Sequence, residues 1–324
     1  MTPLACARIV FFSGLYFLAL VVAFQVGYDV SPDFYDYRNH YEQARYLSFF
    51  DQRFEPVYFF ITKLFIAIPV SFKYFVSFIL VFSAILKLTA VNAISNKLIG
   101  SFFIFYLMIS FVIFDMISWR ANLGLAFFLL SLAFFFSDRI SFRFFGASFL
   151  AIASHYSFVV PYFFLLLGAR FVGKSSILIL SVALLFVFSA ELILESISIY
   201  SANPLLQAYM EEEKKAGSVF SSYSIFIGTL FTTGFFYRRS SSASAQMCFI
   251  TAIFMFAFVS ALWWIPVLYF RYLDICLVLL ILYFCLLIEA SKTLLNTFFL
   301  FFMLLAFGAF KLFSYFEFSP VLLL

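Results

Sequence analysis

Three ionisable side chains interrupt otherwise apolar stretches of this sequence, and their types suit phosphate binding and proton transfer: Arg120, His155 and Arg271. A charge inside an apolar, membrane-spanning segment costs about 2.5–3.5 kcal/mol, so such a residue normally serves a purpose. A guanidinium can grip a phosphate through two parallel hydrogen bonds. An imidazole titrates near neutral pH and can accept a proton from a hydroxyl. Arg120, His155 and Arg271 are therefore candidate catalytic residues.

Charged side chains are also concentrated in the polar stretch 28–55, which holds nine of the 36 Asp, Glu, Lys and Arg residues. Acidic, basic and aromatic groups crowded together suit a hydroxyl-rich ligand better than an ion or a lipid tail. Asp29 and Glu55 are candidate catalytic residues, because either carboxylate can act as a general base. The candidate hydroxyl acceptors and stacking surfaces of this stretch are Asp33, Tyr35, Asp36, Tyr37 and Tyr41.

Small residues (Ala121, Gly124 and Ala126) follow Arg120, and residues 120–126 can therefore let a neighbouring helix or a ligand approach closely. Asn122 lies in this run and is a candidate binding residue. Arg120 also has a purely structural interpretation, in which it pairs with Asp115.

Arg271 has two polar neighbours, Tyr272 and Asp274, and both are candidate binding residues. Asp274 lies three residues further on, which places it on the same face of a helix as Arg271. A salt bridge at the helix end is the structural alternative for this pair. His155 also has a structural alternative, since a lone histidine in an apolar stretch is often a structural hydrogen-bond partner.

The composition predicts the class of protein. With 65% hydrophobic residues, 11% charged residues and a mean hydropathy of +1.09, the chain lies far outside the range of soluble domains. We therefore predict an all-α polytopic integral membrane protein. The net charge of +4 comes without a basic tail, so no nucleic-acid partner is expected. The sequence has no Gly-rich phosphate loop, no metal-type Cys or His spacing and no DxD signature, so we expect no metal or cofactor.

Short polar breaks separate the apolar segments, and since about 20 apolar residues cross a bilayer, we predict about ten or eleven transmembrane segments. A lysine and a proline interrupt residues 56–72, and a polar tetrad and a proline break residues 144–169. We expect both stretches to be re-entrant. Residues 1–324 contain no linker or internal repeat, which predicts a single transmembrane domain.

The positive-inside rule orients these segments. With both re-entrant stretches, the basic turns face the cytoplasm and the polar loops 28–55 and 195–222 face outward. Arg120, His155 and Arg271 then share the outer face with loop 28–55. An alternative topology lets both stretches cross once, but it exports three basic residues, and we prefer the first.

The order of several short motifs resembles the Wzy/EpsG-like O-antigen and exopolysaccharide polymerases of bacterial inner membranes. Residues 27–29 read Gly-Tyr-Asp, and Glu55 with Pro56 opens the next apolar segment. Residues 120–126 are similar to the family's Arg-Gln-x-x-Ala helix start. Residues 151–157, AIASHYS, are similar to its Ala-x-x-Phe-His-x-Ser motif.

The resemblance implies a polymerase that acts on oligosaccharides linked to undecaprenyl diphosphate, at the periplasmic face of the bacterial inner membrane. Arg120 and Arg271 would stabilise the departing diphosphate. Asp29, Glu55 or His155 would be the base for the attacking hydroxyl. The implied partners are this lipid-linked oligosaccharide, membrane lipid and a chain-length regulator.

Two other functions stay open from the residues alone. An O-antigen ligase would use the same donor lipid, but we expect it to have a longer outer loop than residues 195–222. A lipid-linked oligosaccharide flippase, or another secondary transporter, would place charges deep in several helices and often has two related halves.

Overall fold

A computed structural model describes residues 3–27, 31, 33–48, 55–68, 70–200, 222–261 and 266–318, and it contains no strand over these residues. Thirteen α-helices are found in this part of the chain. They are α1 (Pro3–Gly27), α2 (Phe34–Gln43), α3 (Pro56–Ala67), α4 (Phe72–Ile94), α5 (Leu98–Ile109), α6 (Trp119–Asp138), α7 (Phe142–Ser154), α8 (Val159–Phe171), α9 (Ser176–Tyr200), α10 (Ser222–Tyr237), α11 (Ala243–Ser260), α12 (Pro266–Ala290) and α13 (Leu294–Phe318). A π-helix, Val112–Ile117, precedes α6, and single 3-10 turns, Tyr156–Phe158 and Arg238–Ser240, precede α8 and α11.

Six of the described helices are long and apolar enough to cross a membrane, namely those in α1, α4, α6, α11, α12 and α13. Five shorter apolar helices accompany them in the described residues. A helix satisfies all its backbone hydrogen bonds internally, which is the condition for crossing hydrocarbon. The predicted all-α polytopic membrane fold is confirmed, and the protein is embedded in a membrane.

Both stretches that were expected to be re-entrant contain short helices. Helix α3 has 12 residues, or about 18 Å, against a hydrocarbon core of about 30 Å. Helices α7 and α8 have 13 residues each. The helical structure is interrupted between them at His155, whose backbone is extended. The predicted break is therefore present, and the side of the membrane that each helix end faces stays a prediction.

The polar stretch 28–55 contains a helix that the sequence analysis missed. Phe34, Tyr37 and Tyr41 recur on one face of α2 and are buried, while the residues between them are largely exposed. Spacings of three and four residues are those of an amphipathic helix. This stretch is therefore only partly water-facing, because its aromatic face packs inward.

The described residues fall into two compact units. The first comprises residues 1–159 and 308–324. Its core is helix α6, which packs extensively against both α4 and α7. Because α6 lies at the centre, the side chains in its first turn lie close to elements from elsewhere in this unit.

The second unit comprises residues 160–307, in which α11 packs against α12 and α9. The thiol of Cys276 donates to the carbonyl oxygen of Ala252 at 3.3 Å, which joins α12 to α11. The polar loop 195–222 was expected to begin at residue 195, but α9 continues to Tyr200. Residues 197–200, Ile-Ser-Ile-Tyr, are mostly apolar and extend the helix. The rest of that loop, 201–221, lies outside the described residues.

Candidate functional site

Glu55 is held at the start of a helix. It precedes Pro56, the first residue of α3, and its backbone is extended with φ −64° and ψ 149°. The residue before a proline is biased to this extended form, and proline suits the first helical position. A carboxylate at a helix N-terminus is also favoured by the helix dipole. The Glu-Pro pair thus places a buried carboxylate at a defined point.

Arg120 lies in the first turn of α6 and reaches Glu55 across 65 residues of sequence. Its Nη1 donates to Glu55 Oε2 at 2.8 Å. The guanidinium carbon also lies 5.5 Å from the centre of the Tyr37 ring, and Nε donates to the Tyr37 hydroxyl at 3.5 Å. The Arg120 side chain is 21% exposed, whereas that of Glu55 is 7% exposed. Arg120 is thus the more accessible member of the pair.

His155 completes the cluster from the break between α7 and α8. Its Nδ1 lies 2.8 Å from Glu55 Oε1, and its side chain is buried. An ionised carboxylate can only accept hydrogen bonds, so Nδ1 carries the proton in this contact. The second ring nitrogen, Nε2, is then the basic atom of a neutral His155.

The cluster stabilises the charged form of Glu55. Burial opposes that form, but the hydrogen bond from His155 and the charge of Arg120 outweigh it and lower the pKa of Glu55 to about 2. Burial raises the pKa of the Tyr37 hydroxyl, against the effect of Arg120. Near neutral pH the site therefore holds an ionised Glu55 between a cation and an imidazole.

Gly124 lets the His155 segment approach α6. A Cβ atom at this position would lie 2.5 Å from the Phe158 ring and 3.2 Å from Cβ of His155. Real Cβ atoms do not come this close to a neighbouring ring, so the contact requires glycine. The small residues that follow Arg120 therefore admit the segment that carries His155, one of the two roles expected for them.

The structure places the remaining candidates of the polar stretch on two sides of α2. Asp33, Tyr35 and Asp36 are exposed. Tyr41 is buried, and its hydroxyl donates to the carbonyl oxygen of Val70 at 2.9 Å. Asp29 lies outside the described residues.

A cavity of about 260 Å³ lies beside Tyr41. One wall consists of Tyr41, Glu42, Arg45 and Tyr46, at the end of α2 and in the turn after it. The other wall is aliphatic and consists of Ile66, Ile68 and Val70. The cavity thus presents charged and aromatic groups opposite an apolar surface.

Four further candidates lie in the two units: Asn122 belongs to the first, and Arg271, Tyr272 and Asp274 belong to the second. Asn122 is fully buried and donates to Asp115 at 3.2 Å. Arg271 is half-buried in α12, in the second unit, and Tyr272 and Asp274 beside it are buried. Their proposed roles stay predictions.

Two partners of Arg120 and Asp115 were not predicted from the sequence. Tyr37 was expected only as a stacking surface, yet it is the aromatic neighbour of Arg120; its spacing of three residues from Phe34 marked it as inward-facing. The ion-pair partner of Arg120 is Glu55 rather than Asp115, whose partner is Lys87. Lys87 was not singled out, although a lysine inside an apolar segment is itself a signal. Among the described residues, no group of His, Cys, Asp and Glu has an arrangement that could hold a metal ion.

The fold and the site together define a class: an all-α membrane protein with a buried carboxylate that joins an arginine to a histidine. The family model of the EpsG family matches residues 8–322 of this chain. The chain therefore belongs to the EpsG family, which supports a polysaccharide polymerase-type function in general. No curated protein and no solved structure gave a significant match.

Proposed function

We propose that this protein is a polysaccharide polymerase of the bacterial inner membrane. It transfers a growing glycan from undecaprenyl diphosphate to a new lipid-linked repeat unit at the periplasmic face. The observation that carries this proposal is the cluster of Glu55, Arg120 and His155, in which one carboxylate contacts a guanidinium and an imidazole at 2.8 Å each.

The transfer exchanges one bond for another at the anomeric carbon of the donor glycan. The bond from this carbon to the diphosphate oxygen breaks, and the lipid diphosphate leaves with the electron pair. A hydroxyl of the new repeat forms the replacement bond and releases its proton to a base. The reaction therefore needs positive charge for the leaving group and a proton acceptor for the nucleophile, and it needs no cofactor.

Arg120 is suited to the leaving group. Its charge is permanent, and its planar guanidinium matches two phosphate oxygens at once. It is the most exposed ionisable member of the cluster, so a diphosphate can reach it without entering the core. Glu55 and Tyr37 hold it in place before the substrate arrives. Preorganised charge of this kind stabilises the transition state, because no rearrangement is needed as the negative charge develops.

His155 is suited to the base, and Glu55 to its orientation. Glu55 is too weak a base to take a hydroxyl proton, because its pKa is about 2. It accepts the Nδ1 proton of His155 instead, which leaves Nε2 as the basic nitrogen. A carboxylate that fixes the tautomer of a catalytic histidine is a recurring arrangement in enzymes. The protonated His155 that forms would be stabilised by the same carboxylate.

The cavity beside Tyr41 is suited to the acceptor glycan. Sugar rings have apolar faces and hydroxyl edges. The cavity offers aliphatic and aromatic groups to the faces and charged groups to the hydroxyls. Tyr46 is 85% exposed, so its ring can cover a sugar face. Tyr41 and the cluster neighbour Tyr37 are one helical turn apart on α2, which connects this cavity to the proposed site.

The proposal is tested in cells with Arg120→Ala and Arg120→Lys, compared with a gene deletion. We expect lipid-linked or core-linked single repeats to accumulate with Arg120→Ala, while the protein inserts at its normal level. A point charge cannot replace the fork geometry, so we expect Arg120→Lys to keep only part of the activity.

The deletion separates the alternatives. Single repeats on the surface of deletion cells support a polymerase. Loss of all surface repeats indicates a flippase, and full-length chains that stay on the lipid carrier indicate a ligase. Normal long chains in the Arg120→Ala variant would show that the site is wrong.

A further inference from the structure

A second polar cluster is buried in the first unit, inside the apolar helices. It consists of Lys87 from α4, Asp115 from the π-helix, Tyr16 from α1, Tyr106 from α5 and Asn122 from α6. All five side chains are buried, and Lys87 and Asp115 have side-chain exposures of 0%. The cluster therefore joins five separate elements of one unit at a single carboxylate.

Most hydrogen-bonding groups of this cluster satisfy one another, whereas Asn122 Oδ1 is buried without a partner among the described residues. Lys87 Nζ lies 2.8 and 2.9 Å from the two carboxylate oxygens of Asp115, and donates to the hydroxyls of Tyr16 and Tyr106 at 2.8 and 2.7 Å. Both tyrosine hydroxyls donate in turn to Asp115, at 2.9 and 2.6 Å. Asn122 Nδ2 donates to the same carboxylate at 3.2 Å. Five donor contacts therefore converge on the two oxygens of Asp115 and restrict the orientation of its carboxylate.

The position of Asp115 in the chain links this network to Arg120. Asp115 lies in the π-helix 112–117, which ends one residue before α6 begins, and Arg120 is the second residue of α6. Asn122 lies two residues after Arg120, so the network holds the chain on both sides of it. A π-helix inserts an extra residue into a helical turn and is often found at functional sites. The turn that carries Arg120 thus starts from an irregular segment fixed by a buried carboxylate.

We propose that Lys87, Asp115 and Asn122 are positioning residues that set the rotation of the α6 start and so aim Arg120 at Glu55 and the substrate. This inference rests on the proposed function, since it assigns Arg120 to the departing diphosphate. Tyr16 and Tyr106 complete the donor set around Asp115.

Stability alone does not account for a buried ion pair at this place. Replacing such a pair with apolar side chains of similar size is often neutral or stabilising, because two charges lose their hydration on burial. Apolar contacts are also non-directional, so they permit α6 to rotate about its axis. Directed hydrogen bonds to one carboxylate permit a single arrangement. Fixing the register of one helix against its neighbours is the best-attested use of a buried polar group.

The first test is Asn122→Leu, which removes the hydrogen bond that Asn122 donates from α6 to Asp115. It keeps about the same side-chain size and leaves the Lys87 to Asp115 pair in place. Ser131→Ala is the matched control, because Ser131 is a fully buried polar residue further along α6. Rates are measured with purified protein and lipid-linked repeats extracted from cells that lack this protein. We expect Asn122→Leu to lower kcat about tenfold or more, as small misplacements of catalytic groups do. KM should change less than about twofold, and the control should match the wild type.

The decisive measurement is the effect of Asn122→Leu on kcat in a protein that already carries Arg120→Lys. If Asn122 acts through Arg120, the two effects are not additive, and Asn122→Leu should lower the remaining kcat less than about twofold. An equal fold loss in both backgrounds would overturn the proposal, because it would show an effect on general integrity. No loss in either background would overturn it as well.

Tyr106→Phe is the second variant, should Asn122→Leu fail to insert. It keeps the ring and removes only the hydroxyl that donates to Asp115 at 2.6 Å. The same pattern is expected, a lower kcat that depends on Arg120. If Arg120→Lys itself has full activity, the proposed function of the site fails. If Arg120→Lys is impaired and both network variants are active, only the positioning inference fails.

Discussion

Glu55→Gln is the most informative single change, because Glu55 is the shared partner of Arg120 and His155. The fall in its pKa from 4.5 to about 2 corresponds to about 3 kcal/mol of stabilisation of the charged form, at about 1.4 kcal/mol for each pH unit. Glutamine keeps the shape and some hydrogen bonds, so we expect a loss of about 1–3 kcal/mol in unfolding free energy. This is about 2–4 °C in Tm for a protein of this size.

The loss should depend on pH in a defined direction. A carboxylate whose pKa is lower in the folded state contributes fully above its ordinary pKa of 4.5, and the contribution is lost as the pH falls through the folded value of about 2. The gap in stability between wild type and Glu55→Gln should therefore be widest at pH 7. At pH 3 it should be about 2 kcal/mol smaller.

Thermal unfolding of the detergent-purified protein, followed by tryptophan fluorescence to which the buried Trp119 contributes, measures this gap. Asp138→Asn is the matched control, since Asp138 is an exposed carboxylate at the other end of α6. It should leave both Tm and its pH dependence nearly unchanged. Polymerisation by Glu55→Gln should fall about a hundredfold or more, because the tautomer of His155 is no longer fixed. A gap of the same size at pH 7 and pH 3 would refute the electrostatic reasoning.

Two further changes test the packing and the acceptor cavity. Gly124→Ala should destabilise the protein by about 1–3 kcal/mol, because the new methyl group meets the Phe158 ring. Gly146→Ala, with open space around it, should be neutral or stabilising in the same thermal assay. Tyr46→Ala should leave Tm unchanged but raise the acceptor KM roughly fivefold, because about 40 Å² of covered ring contributes about 1 kcal/mol. The exposed Tyr74, outside the cavity lining, provides the control Tyr74→Ala, and equal effects of the two tyrosines would rule out the acceptor role.

Several features of the site could be predicted from local sequence. The apolar segments predicted a helical membrane protein, and the polar interruptions drew attention to Arg120 and His155. The Glu-Pro pair at Glu55 marked a helix start, since proline restricts the residue before it. In contrast, the inward face of α2 was missed because charged residues are interleaved with its aromatic ones. An amphipathic spacing over only ten residues is easily read as a polar loop.

Partner choice was decided by the tertiary structure alone. Asp115 is five residues from Arg120 and was the nearest candidate for it, yet its carboxylate is bonded to Lys87. Arg120 instead contacts Glu55, 65 residues away, and His155 reaches that carboxylate from 100 residues away. The sequence determines which side chains are charged or apolar, and the spacing of the apolar residues along the chain indicates which segments are helical. Which charge meets which depends on how helices pack and rotate against each other, and that is set by shape and burial across the whole unit.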